Sequence, residues 1–231
     1  GSEDASSIFF DADGDGDQDL YVCSGGVEFS QYSTAFFDRL YLNDGKGNFE
    51  VSDQRLPVRN SHHSTSVVAS SDIDNDGDLD LFVGERIVPL EYGASCSGFI
   101  LQNDGKGNFT DVTGKIGNEL KEIGMITDAT FQDLDKDGDE DLIVVGEFMG
   151  IEIFENNKGT FTRKADNKLH DLKGWWNTIL PADLDGDGDQ DLILGNQGLN
   201  LHYKPTEYAP MKLYINDYDN NGTIEQIMTI P

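Results

Sequence analysis

Asp11-Ala12-Asp13-Gly14-Asp15-Gly16-Asp17-Gln18-Asp19 crowds five carboxylates into nine residues between two short β-prone runs, Ile8-Phe9-Phe10 and Leu20-Tyr21-Val22. The same D-x-D-x-D-G-x-x-D pattern returns from Asp72 to Asp80, Asp133 to Asp141 and Asp183 to Asp191, with starts 61, 61 and 50 residues apart. Self-similarity at such a period marks stacked supersecondary units. Apolar runs flank the other copies as well: Thr65-Ser66-Val67-Val68 precedes the second, and Leu81-Phe82-Val83, Leu142-Ile143-Val144-Val145 and Leu192-Ile193-Leu194 follow the second, third and fourth. Each acidic window is therefore predicted to be a strand-to-strand turn.

A second hairpin follows within each repeat. Leu40-Tyr41-Leu42-Asn43-Asp44-Gly45-Lys46-Gly47-Asn48-Phe49 has the Asp-Gly turn signal between apolar residues, and residues 100–109 end in the same Asn-Asp-Gly-Lys-Gly-Asn-Phe. Residues 153–161 are a variant of it. In the fourth repeat, Leu213-Tyr214-Ile215-Asn216-Asp217 matches Leu40 to Asp44, but the turn is enlarged to Asp217-Tyr218-Asp219-Asn220-Asn221-Gly222-Thr223-Ile224-Glu225. This predicts that the second hairpin of the last repeat has become a fifth metal loop. Two hairpins per repeat give four antiparallel strands, the content of a propeller blade. The predicted fold is all-β: one β-propeller domain or segment over 1–231, with blades at 5–57, 62–118, 123–170 and 174–231, closing alone or forming an arc of a larger ring.

Calcium is a hard cation that takes six to eight oxygens, and flexible carboxylates with a backbone carbonyl supply them. Positions 1, 3 and 5 point side chains inward, position 7 offers its carbonyl, position 9 closes the site, and Gly at position 6 permits the bend. The predicted ligand sets are Asp11, Asp13, Asp15, Asp17 and Asp19; Asp72, Asp74, Asp76, Asp78 and Asp80; Asp133, Asp135, Asp137, Asp139 and Asp141; and Asp183, Asp185, Asp187, Asp189 and Asp191. The fifth loop offers Asp217, Asp219, Asn221, Thr223 and Glu225. EF-hands share the first half of the motif but need Glu at position 12. Here that position is Val22, Val83, Val144 or Leu194, so the EF-hand reading fails. Magnesium fits less well, because it prefers rigid octahedral sites that keep several waters. Simple acidic surface turns would leave the clustered carboxylates repelling one another.

The 44 Asp and Glu against 16 Lys and Arg give a net charge of −28, which disfavours nucleic acid and anionic membrane surfaces as partners. No apolar run is long enough to span a bilayer, and the first twenty residues are acidic, so neither membrane insertion nor a signal peptide is expected. Gly1-Ser2 resembles a cloning scar, and the stop at Pro231 follows a strand-like run directly, which suggests a segment of something longer. Cys23 and Cys96 are too few for a disulfide framework, and the sequence allows either one bridge or two buried thiols.

The blade pattern, with Phe9-Phe10-Asp11-Ala12-Asp13-Gly14-Asp15-Gly16-Asp17-Gln18-Asp19-Leu20-Tyr21-Val22 and the later Leu40 to Phe49, resembles FG-GAP/VCBS repeats of integrin-alpha-like β-propellers. It is most similar to the bacterial secreted kind often joined to ASPIC/UnbV domains. The resemblance implies an axial first strand in each blade, calcium between strands one and two, and a secreted or cell-surface location. It also implies a ring of about seven blades.

In such a meander the metal loops share one face. The connections 23–38, 55–64, 84–98, 117–124, 168–176 and 195–210 share the other. They hold His62, His63, His170 and His202, with Arg59, Arg86, Tyr92, Trp175, Trp176, Tyr203 and Lys204. Loops on a rigid scaffold commonly bind ligands. One reading makes Arg86, Tyr92, Trp175 and Trp176 part of a protein- or carbohydrate-recognition surface. The plainer reading packs the tryptophans between blades and pairs Arg86 with an acid. Adjacent residues on a strand point apart, which argues against a His62-His63 catalytic pair. The expected function is a non-enzymatic, calcium-stabilised extracellular binding or adhesion module; the alternative is a polysaccharide lyase or hydrolase acting on the same loop-rich face.

Overall fold

Leu142-Ile143-Val144-Val145 is apolar without a break, and in a strand successive side chains point to opposite faces. A strand of that kind needs cover on both sides. The computed structural model describes residues 2–30, 32–57, 64–198, 202–206 and 208–230, and shows what supplies that cover. Strands β1 (Glu3–Phe10), β2 (Asp19–Gly25), β3 (Arg39–Asn43) and β4 (Phe49–Val51) form one antiparallel sheet in chain order. Strands β5 (Ser64–Ser71), β6 (Asp80–Ile87), β7 (Gly98–Gln102) and β8 (Thr110–Asp111) form a second. Strands β9 (Met125–Gln132), β10 (Asp141–Met149), β11 (Glu152–Asn156) and β12 (Phe161–Arg163) repeat the pattern. Next, β13 (Gly174–Ala182) pairs with β14 (Asp191–Asn196) and, at its start, with the end of β10.

The sheets stack face to face in chain order. Between the first and second lie Phe10, Tyr21, Leu40, Val68, Leu81, Val83, Leu101 and Phe109. Between the second and third lie Val67, Phe82, Ile100, Ile126, Leu142, Val144, Phe154 and Phe161. Between the third and β13–β14 lie Ile143, Val145, Ile151, Ile153 and Ile179. Leu142 and Val144 thus face one neighbour while Ile143 and Val145 face the other. Burying one such aliphatic side chain stabilises by about 1.5 to 3 kcal/mol. The first strands stand next to one another and are bonded side chain to backbone: Ser66 donates to the Ile126 carbonyl (2.7 Å) and Thr127 to that of Trp176 (2.8 Å). The architecture is all-β, made of repeated antiparallel sheets of the propeller-blade type.

The fourth repeat departs from the expected four strands. β15 (Lys212–Asn216) and β16 (Glu225–Thr229) pair only with each other and are not bonded to β14. Their register explains why. In the four metal hairpins the residue before position 1 pairs with position 9: Phe10 with Asp19, Ser71 with Asp80, Gln132 with Asp141 and Ala182 with Asp191. Asn216 pairs with Glu225 in the same way. The hairpin β15–β16 therefore has the geometry of a first hairpin, not of the outer half of a blade. Leu213 and Ile215 lie against Gly93, where an added Cβ would meet them at 2.8 and 2.7 Å.

Cys23 and Cys96 are buried thiols and not a disulfide. No helix among the described residues is long and apolar enough to cross a membrane.

Candidate metal centre

Position 6 of each acidic loop must turn the chain left-handed, and its glycines do so at φ +92° (Gly16), +99° (Gly77), +97° (Gly138), +93° (Gly188) and +88° (Gly222). A residue with a Cβ is strained there. That bend aims the glycine N–H at the position-1 carboxylate. Gly16 donates to Asp11 (3.0 Å), Gly77 to Asp72 (3.0 Å), Gly138 to Asp133 (3.1 Å), Gly188 to Asp183 (3.1 Å) and Gly222 to Asp217 (2.9 Å). The loop closes on its first residue and turns positions 3 and 5 toward it.

Carboxylate oxygens of Asp11, Asp13 and Asp15 all lie within 4.8 Å of one another, as do those of Asp72, Asp74 and Asp76, of Asp133, Asp135 and Asp137, and of Asp183, Asp185 and Asp187. Two oxygens on opposite sides of a Ca2+ ion, each about 2.4 Å from it, stand about 4.8 Å apart. These clusters can hold a metal ion, and one further observation supports the fit. Asp74 Oδ1, at position 3 of the second loop, is buried with no hydrogen-bond partner, as is Asp78 Oδ1. An orphaned carboxylate oxygen is costly unless something positive meets it.

Positions 7 and 9 stand differently. In the first three loops the position-7 side chains turn toward the outer hairpin of their own repeat: Asp139 accepts from the Lys158 N–H at 2.8 Å, and a Cβ on Gly45 or Gly105 would lie 2.7 Å from Asp17 or Asp78; in the fourth, Asp189 pairs with Lys136 of the preceding loop. These contacts leave the position-7 carbonyl as the atom that position could offer an ion. At position 9, Asp19, Asp80 and Asp141 are almost completely buried and lie outside the converging trios. Asp19 accepts from the N–H groups of Ala12 (2.8 Å) and Asn43 (2.7 Å). A carboxylate has about four lone-pair sites, so these bonds leave room for a cation. In the fifth loop the longer Glu225 does join Asp217 and Asp219 within 4.8 Å.

Burial raises the proton affinity of five of the loop acids. It pushes Asp80 up to about 7, against the Asn103 and Ile73 amides and with the charges of Asp74 and Asp78 adding. It pushes Asp78 up to about 6, with Asp76 adding. Asp13 and Asp17 are raised by burial and by neighbouring aspartates, and Asp141 chiefly by burial. A divalent cation relieves both the repulsion and the burial cost.

A family model described as FG-GAP-like repeat matches residues 11–83 and 133–194, together more than half of the chain. The chain belongs to the FG-GAP-like repeat family. No match is found among curated proteins. Both matched stretches begin at position 1 of an acidic loop and run past the outer hairpin into the strand that follows the next acidic loop.

Away from the metal loops, the FG-GAP-like repeats bring the predicted recognition residues to two neighbouring contacts. The Arg86 guanidinium, on β6, donates to Glu147 on β10 through Nε at 2.8 Å and through a second nitrogen. Tyr92 donates its hydroxyl to the other oxygen of Glu147. Burial, and then the Glu147 carboxylate, push the Tyr92 hydroxyl well above its usual range. Glu147 pairs in register with Trp175, whose ring lies 5.4 Å from that of Phe148. Phe148 itself sits at φ +56°, a conformation that a bulky residue adopts only under constraint. Trp176 instead packs against the core between the third and fourth repeats and donates to the Leu172 carbonyl at 3.1 Å. The tryptophan packing and the Arg86 ion pair of the plainer reading are thus both present. Glu147 is not legible in the sequence as a site residue, since nothing local distinguishes it from the other acids. His170 bonds Glu152 (2.7 Å), and His62, His63 and Arg59 lie outside the described residues.

Proposed function

We propose that the chain is a calcium-stabilised β-propeller module, secreted or at a cell surface, that binds a protein or glycan through the face opposite its metal loops. Calcium would be held by positions 1, 3 and 5, by the position-7 carbonyl and by position 9 of the four aspartate loops, and by Asp217, Asp219 and Glu225 with Asn221 and Thr223 in the fifth. The ion would supply charge neutralisation; the protein supplies a bent loop whose oxygens already converge. The sheets would form an arc of a larger ring, a reading supported by the row Phe9, Leu20, Tyr41 and Val51 on the first sheet and Leu180 with Ile193 on the last, which have no sheet against them among the described residues.

The observation that carries the recognition reading is the Phe148–Trp175 pair, fixed beside Glu147 by Arg86 and Tyr92 from the preceding repeat. Three repeats combine to hold one aromatic pair, and aromatic side chains preset by a rigid scaffold suit sugar rings and protein anchors. A glycan array probed with the protein in millimolar calcium tests this. Binding to a defined glycan that is lost in Trp175→Ala and in the presence of chelator supports it. Equal binding by Trp175→Ala removes this surface from the account. Cleavage of a polysaccharide by the same preparation would make the module an enzyme instead.

A further inference from the structure

The motif Asn-Asp-Gly-Lys-Gly-Asn-Phe reads as a turn, but its first asparagine makes bonds that a turn does not need. Asn103 donates its backbone N–H to Asp80 Oδ1 (2.7 Å) and its Nδ2 to the carbonyl of Leu79 (3.2 Å), both in the metal loop of its own repeat. The same Nδ2 donates to the carbonyl of Ala12 at 2.9 Å, in the metal loop of the repeat before. Asn156 repeats all three: backbone N–H to Asp141 (2.9 Å), and Nδ2 to Glu140 in its own loop (3.2 Å) and to Ile73 in the preceding one (3.0 Å). Asn103 and Asn156 are about 95 % buried.

The acceptors are placed so that these bonds join into one chain. Ala12 and Ile73, whose carbonyls the asparagines hold, donate their own N–H groups to the closing aspartates Asp19 (2.8 Å) and Asp80 (3.3 Å). From Asp19 the path runs through residue 12 and Asn103 to Asp80, then through residue 73 and Asn156 to Asp141. Every residue on it is buried. We propose that Asn103 and Asn156 couple calcium binding in the first three loops, so that filling one loop raises the affinity of its neighbour. With Asp141 held by calcium, the Asn156 N–H would be fixed, and through it the Ile73 peptide and the orientation of Asp80. The second ion then meets a loop already ordered, and less conformational entropy is lost on binding. In the fourth repeat the matching Asn216 side chain makes none of these bonds among the described residues, so the buried path ends at the third loop, and an exposed ion pair from Lys136 to Asp189 joins the third loop to the fourth.

The coupling rests on the calcium reading, and the test separates the two. The position-6 glycine N–H of each loop reports on that loop, so calcium titration of the 15N-labelled protein followed by NMR gives a midpoint for each loop separately. Disabling the third loop with Asp135→Ala should raise the calcium midpoint read at Gly77 by about fivefold or more. In the Asn156→Ala background the same change should move Gly77 less than about twofold, because the link is gone. Asn75→Ala, which removes a direct surface bond from the second loop to Asp139 (2.8 Å), should leave the fivefold response intact. Gly188, tied to the third loop by the exposed Lys136–Asp189 pair and not by a buried asparagine, should move less than about twofold in every variant. If Asn156→Ala does not fold, Asp74→Ala read at Gly16, with and without Asn103→Ala, asks the same question at the other junction. A Gly77 midpoint indifferent to Asp135→Ala, or equally responsive with Asn156 removed, overturns the coupling while leaving calcium binding intact. Glycine signals that do not move with calcium at all overturn both.

Discussion

Ile73 and Leu184 are the same residue of the same motif, position 2 of the acidic loop, yet Ile73 is 1 % exposed and Leu184 65 %. The difference lies in what stands beside each loop. Ile73 is covered by the third repeat, which places Phe154 and Phe161 in the shared core and Asn156 on its carbonyl. Leu184 has no following repeat against it among the described residues. The loop is thus both a candidate metal site and a plug: its first, third and fifth residues converge their carboxylates while its second residue seals the next junction. A loop covered by the following repeat, as the first and second are, gains apolar burial and a buried polar link, and the fourth loop gains neither.

That contrast can be tested by substitution. The largest effect is expected at Phe82, fully buried between the second and third sheets: Phe82→Ala should cost about 3 to 5 kcal/mol in denaturant unfolding. Next comes the plug itself. Ile73→Ala should cost about 2 to 5 kcal/mol, because the aromatic wall around it cannot collapse fully into the space. Glu147→Gln removes the charge that Arg86 and Tyr92 share and should cost about 1 to 3 kcal/mol, read in the same unfolding experiment. It should also loosen the Phe148–Trp175 pair, visible as a change in near-UV circular dichroism. The smallest effect is expected at the open end: Leu184→Ala and Leu180→Ala should each change stability by no more than about 0.5 kcal/mol. A cost at Leu184 as large as that at Ile73 would mean that something covers this end in solution.

Much of the architecture is legible in the sequence because the same physical demand recurs in every repeat. Leu142-Ile143-Val144-Val145 can be read as a strand covered on both faces, and the apolar residues at position 12 exclude an EF-hand on the motif alone. The position-6 glycines likewise announce a left-handed bend. The fourth repeat misleads because Leu213 to Asn216 matches Leu40 to Asn43 so closely; only the pairing of Asn216 with Glu225 shows which kind of hairpin it begins. The polar links are illegible for a different reason. Asn103 reaches Ala12 and Arg86 reaches Glu147 across 91 and 61 residues, and nothing in the local pattern marks one acid or amide among many as the partner. The closing aspartates fall between these cases. Their place at position 9 is plain from the motif, but the burial of Asp19, Asp80 and Asp141 and one of the two backbone donors of each depend on the outer hairpin folding back over them.

In this reading cations hold the crowded carboxylates together in the folded chain. Thermal unfolding in about 10 mM calcium and in excess EDTA, at one pH and ionic strength, tests it directly. Extracellular calcium sites bind at about 0.1 to 1 mM, so each filled loop adds roughly 1.4 kcal/mol or more. Several loops together should separate the two midpoints by about 10 °C or more. A midpoint that chelator leaves unchanged would contradict the account.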